Sequence, residues 1–92
     1  MTTYILFGKY SHDALKKISA RRTAGAAAVI RKLGGELKSG YALLGEVDLV
    51  LIADFPDTAK AMKASIELTR QLGIGFRTAP AVSVEFFDSL MA

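Results

Sequence analysis

The chain has 92 residues and a mass of 9.9 kDa, room for one small domain and one core, since a chain this short buries only about 60 to 65% of the surface it exposes when unfolded. An apolar share of 51% against 23% charged residues, with a mean hydropathy of +0.30, excludes a disordered chain. Zero cysteines exclude disulfide scaffolds, thiolate metal sites and a cysteine nucleophile and fit a reducing, cytoplasmic setting, while a formal charge of +3 is mild for a nucleic-acid binder despite a pI of 9.4.

Met1-Thr2-Thr3 leads directly into Tyr4-Ile5-Leu6-Phe7 without a basic leader, and no apolar run approaches the length of a membrane span, so neither a signal peptide nor a transmembrane helix is expected. Thr3 to Tyr10, rich in aromatic and branched residues, reads as a first strand. Ser11, His12 or Asp13 offers an N-cap for a helix over Asp13–Leu33, with Leu15, Ile18, Ala26, Ala27, Ile30 and Leu33 as its stripe and Gly34-Gly35 as its stop. Ser19 to Thr23 interrupts that stripe, so a kink or a turn dividing two helices is expected there. Glu36–Leu44 and Val47–Asp54 read as strands joined by a tight turn at Gly45-Glu46. Thr58–Leu72 reads as a helix with Ala61, Met62, Ser65, Ile66, Thr69 and Leu72 on one face, stopped at Gly73. Phe76–Val82 is a strand candidate in which Pro80 suits a sheet edge or a strand end, and Ser83 can cap a short helix over Val84–Met91.

The order βαββαβ is the ferredoxin-like split arrangement, an α+β fold with a four-stranded antiparallel sheet and both helices on one face. The first strand places Tyr4 and Leu6 on one face and Ile5 and Phe7 on the other, and the third sets Val50 and Ile52 against Val47, Leu49 and Leu51. Both faces are apolar, whereas two helices cover one. The simplest cover for the other is a second copy, sheet against sheet, giving a homodimer or higher oligomer; the alternative is a lone domain whose C-terminal segment folds across it.

From Leu37 through Gly45-Glu46-Val47-Asp48 to Val50, followed by Asp54-Phe55-Pro56-Asp57, the chain resembles the GYD family of small bacterial and archaeal proteins, and the resemblance runs from the Tyr4 strand to Phe87. It implies a ferredoxin-like domain of the dimeric α/β-barrel type, in a family without an established function. Gly45 and Asp48 match the glycine and aspartate of the family name, while Val47 stands at the tyrosine position.

His12, the only histidine, reads either as a solvent-facing residue at a helix start or as a proton-transfer group at the mouth of a barrel. Asp48 shares strand parity with Val50, Ile52 and Asp54, and is either a capping residue or a proton acceptor. Tyr41 has the parity of Leu37, Ser39 and Leu43, which aims its hydroxyl at a cavity beside Ser39, or at a backbone carbonyl. Lys16, Lys17, Arg21 and Arg22 form a solvated basic face or, if the helix restarts at Arg22 or Thr23, an anion pocket. One histidine and no cysteine make a metal site weak, and no Walker, dinucleotide or nucleophile-elbow pattern calls for a cofactor.

The leading expectation is an oligomeric module enclosing a small, mostly apolar ligand near Tyr41, Ser39, Arg22 and Lys17. The alternative is a cofactor-independent enzyme, monooxygenase- or isomerase-like by analogy with dimeric α/β-barrels, with His12 as base and Asp48 or Tyr41 orienting substrate. Nucleic-acid binding rests only on the first helix's basic face.

Overall fold

A computed structural model describes every residue from Met1 to Ala92. The elements run β1 (Thr2–Tyr10), α1 (His12–Lys16), α2 (Ala20–Lys32), β2 (Glu36–Ala42), β3 (Leu49–Phe55), α3 (Thr58–Leu72), β4 (Ile74–Ala81) and α4 (Val84–Leu90). The four strands form one antiparallel sheet in the order β2-β3-β1-β4, the ferredoxin-like topology. The expected turn within the first helix is a true break, so α1 and α2 are separate helices. It lies at Lys17–Ser19, earlier than Arg22 or Thr23, because the Ser19 hydroxyl accepts the Arg22 N–H at 3.2 Å and starts α2 at Ala20. The break also strands Leu15 and Ile18, which stay exposed instead of joining the stripe.

The core lies between one face of the sheet and α2 and α3, with Tyr4, Leu6, Leu51, Ala53 and Phe55 from the sheet meeting Ala26, Ile30, Ala61, Ala64 and Leu68. On α3 the inward face differs from the expected one: Ala64 and Leu68 are buried with Ala61, whereas Met62 and Ile66 are exposed. Alanines at these positions let the helix settle close to the sheet, where the bulkier Met62 and Ile66 would hold it off. The phenol of Tyr4 reaches Thr58 Oγ1 at 2.8 Å, and its ring meets Phe55 edge-on with centroids 5.8 Å apart, so this buried polar group is satisfied. Gly73 ends α3 in the left-handed region at φ 69°, a conformation other residues adopt only with strain.

Three departures from the sequence reading shape the site. The β2–β3 connection is wider than a two-residue turn: β2 ends at Ala42 and β3 begins at Leu49. Asp48 leaves the ladder to hold β1, donating its N–H to the Gly8 carbonyl and accepting the Tyr10 N–H on Oδ2, both at 2.9 Å. A bulge between Leu37 and Ser39 then breaks the period of β2, so that Leu37 pairs with Ala53 on the helix-covered face while Ser39 and Tyr41 pair with Ile52 and Val50 on the open face. Tyr41 therefore shares a face with Ser39 but not with Leu37. Finally, β4 starts two residues early, because Ile74 pairs with Tyr10 and is buried there; Pro80 is accommodated, as expected, on an edge strand.

Candidate functional site

Small residues on both sides of one interlayer gap create the main cavity. Beyond Leu37, the helix-facing positions of β2 are Gly40 and Ala42, and α2 faces them with Thr23 and Ala26. Too little side chain is present to fill the space, and a cavity of about 450 Å³ remains, inside the size range of small-molecule pockets. Leu49, Leu51, Leu72, Ile74 and Phe76 make its floor and far wall, and Ile18, Ser19 and Arg22 close it at the α1–α2 break. The lining is mainly apolar, with polar groups gathered at the break.

Arg22 is the organising side chain at that end. Its guanidinium donates to the Ala14 carbonyl and lies over the Tyr10 ring, 5.1 Å from the centroid, a cation–π arrangement. It thus acts as a strut tying α2 to α1 and β1, and the free guanidinium fork expected from a restart at Arg22 is not formed. Lys17 borders a second, more polar recess of about 270 Å³ on the other side of Arg22, with Ser11, Asp13, Gln71 and Gly73. Lys16 and Arg21 are exposed on the helix surface.

Of the residues singled out in the sequence, Ser39, Tyr41 and Arg22 border the main cavity and Lys17 the recess beside it. The register aims Tyr41 at the open face, where it is 58% exposed, so β2 meets the cavity there as an edge. His12 is exposed in the first turn of α1 and forms no hydrogen bond through its ring, and it borders neither space. The Asp48 carboxylate acts as a backbone staple to β1, accepting the Tyr10 N–H across the sheet instead of a backbone N–H of its own turn. Gly45, at φ 146°, makes the exposed bend before Val47, and Val47 is half-buried. No group of three or more His, Cys, Asp or Glu side chains is placed to hold a metal ion. Tyr10, Thr23 and Phe76 were not anticipated as lining residues; the available signal was the run of small residues at Gly40, Ala42 and Ala26, opposed across the layers.

The fold and this interlayer cavity define a ferredoxin-like α+β domain of the split βαβ class. Within it the chain belongs to the GYD domain family, whose model matches residues 4–91, nearly the whole length. No curated protein matches it. Among solved structures, the crystal structure of the leucine response regulatory protein LrpA of Mycobacterium tuberculosis superposes with a TM-score of 0.59 at 11% identity, over 89% of this chain. The match takes in 51% of the LrpA chain, so this protein spans about half that regulator's length. The likeness at this identity is one of fold. No helix of the chain is long and apolar enough to cross a membrane.

Proposed function

We propose that this GYD domain is a self-associating binding module that takes a small, mostly apolar molecule between its sheet and α2. The observation that carries this reading is the cavity of about 450 Å³ with its polar end at Arg22, Ser19 and Thr23; apolar walls with a few grouped polar atoms are the usual make-up of a ligand site. Association through the open sheet face is supported by Ile5, Phe7, Val50 and Ile52, an apolar set that α2 and α3 do not cover. The same half-length fold occurs in a regulator named for its response to leucine, which favours a ligand of amino-acid size. A cysteine-free chain suits a cytoplasmic setting.

Native mass spectrometry of freshly purified protein tests both parts in one spectrum. The expected result is a dimer or higher multiple carrying an extra small mass, and Ala42→Phe, which projects a ring into the cavity from its rim, removes that mass and keeps the subunit count. If the wild-type chain carries no small mass and Ala42→Phe leaves unchanged its thermal response to a panel of branched-chain amino acids and small apolar acids, the cavity is a packing gap and the binding reading fails.

A further inference from the structure

No residue of the C-terminal helix is buried within its own chain. Val84, Phe86, Phe87, Leu90 and Met91 fill an arc of about 160° at the ~100° per residue of an α-helix, with Glu85, Asp88 and Ser89 opposite. All five apolar residues are more than half exposed, from 52% at Phe86 to 73% at Val84, and no residue of α4 is buried. A seven-residue helix does not hold itself together in water and takes its stability from packing. The C-terminal segment therefore leaves the open sheet face unsealed, with Phe7 still 38% exposed.

The size of what is missing can be estimated. The chain exposes 6305 Å², against roughly 5,200 Å² for a folded monomer of its mass. The excess, roughly 1,100 Å², is of the order of the ~800 Å² each partner contributes to a stable interface. The radius of gyration, 13.6 Å, likewise exceeds the roughly 12 Å of a compact chain this long. Charge narrows the choice of partner. Arg77 lies in the open-face row Tyr41–Val50–Phe7–Arg77 and has no acidic group within 4.0 Å, while Glu85 and Asp88 of α4 have no cation.

We propose that each copy lends α4 to the open sheet face of a second copy, over the row containing Phe7 and Arg77, with Glu85 and Asp88 supplying the charge that Arg77 lacks. The inference rests on the self-association proposed above and names the element that completes it. Within its own chain α4 leaves that row open: it follows Ala81, which pairs with Thr3, Arg77 sits four residues earlier on β4, about 13 Å away along the strand, and neither Phe7 nor any residue of α4 is buried. A two-fold axis that reverses strand direction brings the partner's α4 to that distant row and leaves the Ile5, Ile52 and Ala79 row for contact between the two sheets.

Sedimentation equilibrium on the full chain across a concentration series tests it. Phe87→Asp with Leu90→Asp should convert the dimer to a monomer with an unchanged β-sheet circular dichroism signal, since both side chains are exposed within one chain. Arg77→Glu should weaken association at least ~tenfold, and adding Glu85→Lys and Asp88→Lys to it should restore most of the loss, as charge pairs across interfaces couple. A wild-type chain that is monomeric at every concentration overturns self-association and this inference together. A dimer that survives the Phe87 and Leu90 changes, or an Arg77→Glu defect that the α4 lysines do not relieve, overturns the α4 assignment alone.

Discussion

The two faces of the sheet are built from the same strands and nearly the same residue types, yet they have opposite fates. Tyr4, Leu6, Leu51, Ala53 and Phe55 point toward α2 and α3 and are buried, while Ile5, Phe7, Val50 and Ile52, one residue out of phase, stay partly open. Composition does not separate the faces; the presence of a covering layer does. An apolar set left half-covered at this cost in hydration marks a face that a further layer would stabilise, and alternation along a strand is informative here by being absent.

The largest effect separating the faces is expected at Phe55. Its ring is fully buried and packs against Tyr4, so Phe55→Ala should lower stability by about 3–5 kcal/mol through lost burial and an unfilled cavity. Urea denaturation measures this directly, and a loss no greater than that of an open-face residue would mean that the two faces are covered alike in solution.

A smaller loss is expected at Gly35, at the start of β2 under the covered face. A Cβ there would stand 2.7 Å from the Asp54 carbonyl oxygen and 2.7 Å from the Phe55 ring. The carbonyl is backbone and the ring is packed, so neither gives way freely, and Gly35→Ala should cost about 1–3 kcal/mol by overpacking. The same denaturation experiment reads it; a neutral result would show that β2 is loosely seated at this end.

How much of this was legible in the residues follows from which signals are local. The succession of elements, the cap at Ser83 and the stop at Gly73 depend on near neighbours and follow from the sequence, whereas the residues leave the first cap open among Ser11, His12 and Asp13 and the structure places it at Ser11. The doubleness of the sheet also follows from the sequence, since Tyr4-Ile5-Leu6-Phe7 offers no polar alternation. The bulge at Lys38 had no such signal. It is fixed by pairing, with the Lys38 amine reaching Glu36 at 3.4 Å and Asp54 at 3.8 Å on the open face, and it reverses the facing of Ser39 and Tyr41. The inward stripe of α3 was misplaced for a related reason: a hydrophobicity pattern ranks Met62 and Ile66 above Ala64, whereas close helix-to-sheet packing prefers the alanine. The cavity was visible only as paired smallness, Gly40 and Ala42 against Thr23 and Ala26, which becomes a signal once the two elements are known to face each other.

The smallest expected change in the isolated chain falls on the open face, and it carries the comparison furthest. Phe7 is 38% exposed and pairs with Val50 on one side and Arg77 on the other. In a dissociated chain, Phe7→Ser removes a side chain that is only partly covered and should cost about 1 kcal/mol. Under the proposed self-association the same ring would lie beneath the second copy, so its loss should act mainly on association. Anything that binds only the folded form raises the melting temperature with its concentration, and in the proposed assembly that ligand is a second copy of the chain. The wild-type melting temperature should therefore climb as protein concentration rises from the micromolar to the hundred-micromolar range, and Phe7→Ser should flatten that climb while leaving the dilute limit almost unchanged. A melting temperature that ignores concentration in both forms would place the open face in water, and the distinction between the two faces would then be one of structure without a consequence for assembly.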